Sequence, residues 1–155
     1  MTERGWEVRP LRAGDVEAVF ALERRTEGAA HWNAEEYRRM VEPVAARGVK
    51  RIVSVAVGRG TIVGFAAGRI LFHEAEIENV AVDAEFRRQG IAAALVASLL
   101  DTCRRRGVTL VRLEVRESNV AAQALYESAG FKVEAVRRAY YTQPDESALV
   151  LSRKP

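Results

Sequence analysis

The chain holds a single cysteine, Cys103, among its 155 residues. No intrachain disulfide can form, so the fold must rely on its own core, and a reducing compartment is expected. Its two histidines, His31 and His73, lack Cys, His or Asp companions at ligand spacing, so no metal is expected. Long apolar runs are missing as well. The best candidate, 91–100, falls short of the roughly 20 residues a membrane helix needs, and Ser98 interrupts it. No apolar stretch follows Met1-Thr2-Glu3-Arg4-Gly5, which argues against a secretory signal. A cytoplasmic protein without a membrane partner is the expectation. Repeats, low-complexity tracts and linkers rich in Pro, Gly or Ser are absent, so one domain is expected over 1–155. Dense basic stripes with interleaved aromatics are absent too, and direct nucleic-acid binding is not expected.

What is present suits a globular domain. Hydrophobic residues make up 48% of the chain and charged residues 29%, enough for a core and a polar surface. The net charge of +3 is mild, spread mostly over arginines, and compatible with an anionic cofactor. Arg104-Arg105-Arg106 is the one basic triple. It closes a predicted helix, where cations suit the dipole.

Periodicity divides the chain into alternating elements. A strand over 6–11 precedes a helix over 15–25, with Val16, Val19, Phe20 and Glu23 at helical spacing. A second helix is expected from Asn33, a good N-cap with Glu36 three residues on, to Gly48. Strands follow over 51–57, 61–72 and 74–82, the first two joined by Arg59-Gly60. A strong helix spans 88–106, its stripe formed by Ile91, Leu95, Val96, Leu99, Leu100 and Cys103, with Gly107 as its stop. Then come a strand over 108–115, a helix over 119–129 closed by Gly130, and strands over 131–136 and 148–151. The order β-α-α-β-β-β-α-β-α-β-β predicts a mixed α/β sheet.

The sharpest chemical signal is Val80-Ala81-Val82-Asp83 followed by Arg87-Arg88-Gln89-Gly90-Ile91-Ala92. The second segment has the form R-x-x-G-x-A at a strand-to-helix junction. The first N–H groups of a helix have no intrahelical acceptor. With the helix dipole they make an anion site. Gly90 and Ala92 leave room for a diphosphate to approach the backbone. A tight turn with solvated arginines would read the same way.

This loop resembles the acetyl-CoA loop of the GNAT superfamily of N-acetyltransferases, whose signature is Q/R-x-x-G-x-G/A. The likeness extends through Leu113-Glu114-Val115-Arg116-Glu117-Ser118-Asn119, Ala124-Leu125-Tyr126-Glu127-Ser128-Ala129-Gly130-Phe131, Arg137-Arg138-Ala139-Tyr140-Tyr141 and Ala148-Leu149-Val150-Leu151. It is close from about Glu76 onward and is most similar to the ribosomal-protein-alanine N-acetyltransferase branch. Upstream it is loose. His31-Trp32-Asn33 stands where the family has Pro-Trp-Ser, which keeps a capping residue but changes the acceptor loop. The resemblance implies a mostly antiparallel central sheet with flanking helices. It implies a strand around 80–82 that bulges and splays from the next, so that acetyl-CoA fills the gap against the backbone of Val80, Ala81 and Val82. Its diphosphate would sit on Arg87, Arg88, Gln89, Gly90, Ile91 and Ala92. The implied reaction is direct acetyl transfer from acetyl-CoA to an amine in a ternary complex. A protein N-terminal α-amine, such as that of a ribosomal protein, is the first acceptor; a small amine or a lysine side chain is the alternative. A non-catalytic acyl-CoA-binding module is the reading from another class.

The resemblance gives Glu114 the role of base and Tyr126 that of acid, and the chemistry fits both. Each also has a plainer reading. Glu114 shares a strand face with Arg112 and Arg116 and could be an ion-paired strand residue. Tyr126 could be a half-buried helix aromatic. Asn119 reads as an N-cap, and the resemblance adds a cofactor contact. Tyr140 and Tyr141 could wall an acceptor groove or pack at a strand end. Cys103 lies on the apolar stripe and reads as core.

Overall fold

The computed structural model describes residues 4–26, 49–141 and 146–155. Among the described residues seven strands form one sheet: β1 (Trp6–Pro10), β2 (Val49–Gly58), β3 (Thr61–Leu71), β4 (Glu74–Val82), β5 (Leu110–Arg116), β6 (Lys132–Tyr141) and β7 (Glu146–Arg153). Their order is β1-β2-β3-β4-β5-β7-β6. Every neighbouring pair is antiparallel except β4–β5, which is parallel. The helices are α1 (Val16–Arg25), α2 (Ile91–Arg105) and α3 (Val120–Ser128). The helix expected from Asn33 to Gly48, with His31-Trp32 before it, lies outside the described residues.

Helices cover both faces of the inner strands, which explains why β2 and β3 are apolar without strict alternation. On one face α1 sets Val19 and Leu22 among Val55, Phe65, Ala67 and Ala81. On the other, the expected stripe of α2 is buried from Ile91 to Cys103 among Trp6, Ile52, Ala56, Ala66 and Ile77. Burial pushes the Cys103 thiol up to about 11, so it stays protonated as a core side chain. None of the described helices is long and apolar enough to cross a membrane.

Several ends differ from the sequence reading. The central helix begins at Ile91, not at residue 88, because Arg88 and Gly90 adopt φ of 62° and 82°, outside the helical region. The strand expected from 108 begins at Leu110, since Val108 and Thr109 are engaged by Cys103 O and His73 O. The last two strands are much longer than expected. β6 runs to Tyr141 and pairs with β7 across two register shifts. The hairpin between β3 and β4 turns on Phe72-His73, leaving Phe72 79% exposed.

Two features open the sheet. In the β3–β4 register Ala67 faces Asn79 and Gly68 faces Ile77, so Glu78 is an extra residue, a bulge that bends β4. Gly68 is required there: a Cβ on it would lie 2.6 Å from Glu76 O. Pairing of β4 with β5 then stops at Ile77↔Leu113. β4 continues to Val82 and β5 to Arg116, so their facing edges diverge as a fork.

Candidate active site

One wall of the fork carries Val80, Ala81 and Val82. They pair with Ala66, Phe65 and Gly64 of β3 on one side and have no paired strand on the β5 side. The other wall is β5 beyond Leu113, held from behind by Glu114↔Val150, Val115↔Leu149 and Arg116↔Ala148. The gap is therefore lined by backbone edges that an extended chain of amides can pair with. Val80 and Val82 of β4, Leu113 and Val115 of β5, and Tyr126 of α3 belong to one apolar cluster spanning both walls.

Beyond Val82 the chain makes a single turn, Ala84–Phe86, capped by Asp83, which accepts from the Glu85 N–H at 3.1 Å. Arg25 at the end of α1 pairs with Asp83 at 2.8 Å. With this guanidinium and the Glu85 amide on it, the Asp83 carboxyl lies below the usual carboxylate range. This tie of α1 to the loop was not evident in the sequence, where Asp83 only closed a strand. Arg87, Arg88, Gln89 and Gly90 are exposed and Ile91 is buried. The first intrahelical bond of α2 runs from Ala94 N–H to Gly90 O, so the earlier N–H groups of its first turn are not used within the helix. A Cβ on Gly90 would meet nothing within 4 Å. A hollow of about 480 Å³ lies beside this turn, lined by Val82, Phe86, Arg87, Arg88, Gly90, Ile91, Ala92, Ala93, Ala121, Ala124, Leu125 and Ser128. Its small side chains, cations and open helix end can take a long phosphorylated chain.

Asn119 caps α3, its Oδ1 accepting from Ala122 N–H at 3.1 Å. Tyr126, two turns on, is 9% exposed and meets Phe131 edge to face, with centroids 5.9 Å apart. Burial pushes its phenol up to about 12. It is thus protonated at neutral pH and able to donate. Tyr126 lines neither this hollow nor the groove described next.

Glu114 sits one residue past the last β4–β5 pair, at the vertex of the fork. It opens into a groove of about 550 Å³. Charged side chains there are Arg69, Glu74, Glu76, Arg112, Glu134 and Arg137. The ion partner of Glu114 is neither of its strand neighbours. Arg112 reaches across to Glu74 and Glu134, at 2.8 and 3.0 Å, and Arg116 to Glu146 at 3.4 Å. Arg137 of β6 holds Glu114 at 2.8 Å and places its guanidinium carbon 5.0 Å from the Tyr140 ring centroid. The sequence contained Arg137 but gave no sign of this pairing. The bulge at Glu134, which sets the register of β6, cannot be located from composition or period. Tyr140 is half exposed; the Tyr141 side chain lies outside the described set. Glu78 faces elsewhere and pairs with Arg51. Among the described residues no cluster of His, Cys, Asp and Glu is arranged to hold a metal.

Comparison with known proteins agrees with this geometry. Residues 16–131 match the model of the Acetyltransferase (GNAT) family. A ribosomal protein bS18-alanine N-acetyltransferase of Escherichia coli (strain K12) is 34% identical over 144 residues, covering 92% of this chain and 93% of its own. The crystal structure of the ribosomal-protein-S18-alanine N-acetyltransferase from Escherichia coli superposes with a TM-score of 0.82 at 32% identity, over 96% of this chain and 93% of the other. A putative streptothricin acetyltransferase from Bacillus anthracis, solved in complex with acetyl coenzyme A, aligns with a TM-score of 0.63 at 26% identity, over 68% and 62% of the two chains. Fork, glycine turn and family match converge: the chain belongs to the GNAT family and is an N-acetyltransferase that uses acetyl-CoA.

Proposed function

We propose that this enzyme acetylates a protein N-terminal α-amine, with a ribosomal protein as the first candidate, by direct transfer in a ternary complex. The carrying observation is the place of Glu114 at the fork vertex, open to a groove that also contains Glu74, Glu76 and Glu134. Val80, Ala81 and Val82 align the pantetheine arm along the β4 edge. Arg87, Arg88, Gln89, Gly90, Ile91 and Ala92 take the diphosphate on backbone N–H groups and positive charge, and Asn119 adds the cofactor contact that the family resemblance implies. Glu114 removes the proton from the acceptor amine, directly or through one water. Tyr126 donates a hydrogen bond to the departing sulfur. Its phenol, near 12, is a much weaker acid than a thiol at about 8.5. Tyr126 therefore serves by hydrogen bonding to the forming thiolate, and full proton transfer from it is uphill. Tyr140 and Tyr141 flank the first acceptor residues. The relatives named for alanine N-acetylation at a ribosomal protein support this acceptor class.

The amine chemistry supports it further. An α-amine has a pKa of about 7.7–8.0 and lysine about 10.4. At pH 7 roughly a tenth of an α-amine is neutral and far less than a hundredth of a lysine. A single carboxylate suffices for the former. The test compares kcat/KM for a peptide beginning Ala-Arg, the same peptide N-terminally blocked with an internal lysine, and spermidine, at pH 7 and pH 9. The free N-terminus should win at pH 7. Glu114→Gln should slow it, with partial recovery at pH 9, where the amine deprotonates unaided. Faster turnover of spermidine or the internal lysine would transfer the enzyme to those acceptors. A pH-independent loss would leave Glu114 as an ion-pair residue.

A further inference from the structure

We propose that Arg137 is the resident counter-ion of Glu114, and that the acceptor's own ammonium group displaces it. The inference rests on Glu114 being the base, as proposed above. Each groove carboxylate is matched to an arginine: Glu76 to Arg69, Glu74 and Glu134 to Arg112, Glu114 to Arg137. Arg137 has a second seat that is not a carboxylate, the face of the Tyr140 ring, whereas Arg112 divides itself between two carboxylates. It is also the more exposed member of its pair, 53% against 22% for Glu114. An amine arriving from solvent meets the guanidinium before the carboxylate.

The exchange is balanced in charge. An α-ammonium replaces a guanidinium against the same carboxylate, so Glu114 is never left without a cation. Arg137 swings away and keeps its cation–π contact with Tyr140. A proton then passes from the ammonium nitrogen to Glu114 Oε1 or Oε2: one N–H bond breaks, one O–H bond forms, and a neutral amine faces the thioester. An alcohol or amide brings no cation and cannot make the exchange without stranding Glu114. Nor can water. The pair therefore keeps Glu114 from activating water when no amine is bound, which would consume acetyl-CoA as acetate and free thiol. Arg137 is a positioning and specificity residue: it acts through Glu114 and touches neither thioester nor leaving group.

The test uses the full chain and the Ala-Arg peptide at saturating acetyl-CoA. Arg137→Ala should lower the acceptor KM about two- to fivefold, the range an exposed ion pair supports. It should also raise thiol release in the absence of acceptor. Arg137→Lys can still pair and should restore both values toward wild type. In a Glu114→Gln background Arg137→Ala should change neither. A raised acceptor KM or a reduced kcat in Arg137→Ala would overturn the proposal, since the arginine would then steady Glu114 or hold the peptide. Wild-type thiol release without acceptor, or an equal KM change in the Glu114→Gln background, would overturn it as well. Normal turnover by Glu114→Gln alone marks a different failure, that of the base assignment itself.

Discussion

The chemical role proposed for Tyr126 can be separated from its structural one in the apolar cluster. Its ring packs edge to face on Phe131, a contact that phenylalanine at 126 would keep. Its hydroxyl, shifted upward by burial, is the only part that can stabilise a leaving thiolate. Tyr126→Phe should therefore lower kcat by about 10²–10³-fold, as loss of one hydrogen-bond donor to a developing charge does, while leaving acetyl-CoA affinity and the melting temperature nearly unchanged. Steady-state kinetics beside thermal denaturation reads both. Normal kcat would reduce Tyr126 to a packing residue. The sequence pointed to Tyr126 and Glu114 through their motif, but not to their surroundings. Glu114 was expected to have Arg112 and Arg116 at hand. Residues two apart on a strand share a face at about 7 Å, which an arginine can span, but Arg112 and Arg116 are engaged across strands by Glu74, Glu134 and Glu146, and Arg137 from β6 takes the place.

At the scale of elements the legible and illegible parts divide by mechanism. β4 ends where its pattern said, at Glu74 and Val82, and the apolar stripe of α2 is the buried one. Both depend on local period, which a sequence carries. Bulges are another matter. Glu78 and Glu134 are added by register against a neighbour, and a strand cannot announce its partner's register. The length of β6 and β7 was missed for the same reason, since their outer halves gain strand geometry from each other more than from propensity. At the entry to α2, local conformation bears on the proposed cofactor site. Gly90 holds φ of 82° with open space where a side chain would stand. Gly90→Ala should cost about 1–2 kcal/mol of stability from left-handed strain. Gly90→Val should also weaken acetyl-CoA binding strongly by standing in the diphosphate's path. Calorimetry on the folded variant decides it: unchanged affinity would remove the loop from the cofactor site.

Over the whole molecule, the same few ion pairs join α1 to the sheet and make its stability depend on acid. Arg9 grips Asp15 through two bonds of 2.6 and 2.9 Å, and the Arg12 N–H adds a third at 2.7 Å. Arg25 holds Asp83 at the other end of α1. Both carboxyls titrate below their ordinary range, Asp15 chiefly through its bond from Arg9 and Asp83 chiefly through that from Arg25. A depressed pKa in the folded state adds stability above the unfolded value of about 3.9, and this is lost as pH falls through the folded value. Asp15→Asn should cost about 1–3 kcal/mol at pH 7 and progressively less as the wild type is acidified below about pH 4. Urea denaturation at pH 7 and pH 3 measures both gaps. Equal gaps would mean that the charge of Asp15 contributes nothing.

The four-pair seam between β4 and β5 also bears on how the chain comes together. On one side β2, β3 and β4 are consecutive hairpins; on the other, β6 and β7 form their own. Contacts within the β2–β3–β4 and β6–β7 hairpins are close in sequence and cheap to close, whereas the β4–β5 and β5–β7 pairings each join residues more than thirty positions apart. The seam spans all of α2 and the β5–β7 pairing spans α3 and β6, so loop-closure entropy makes both costlier to form than the hairpins. The seam's last rung, Ile77↔Leu113, is also the floor on which Glu114 stands. A chain in which this seam is open thus carries the chemical groups of the proposed site with no floor to assemble them on, and acetyl transfer there requires the two blocks to be docked.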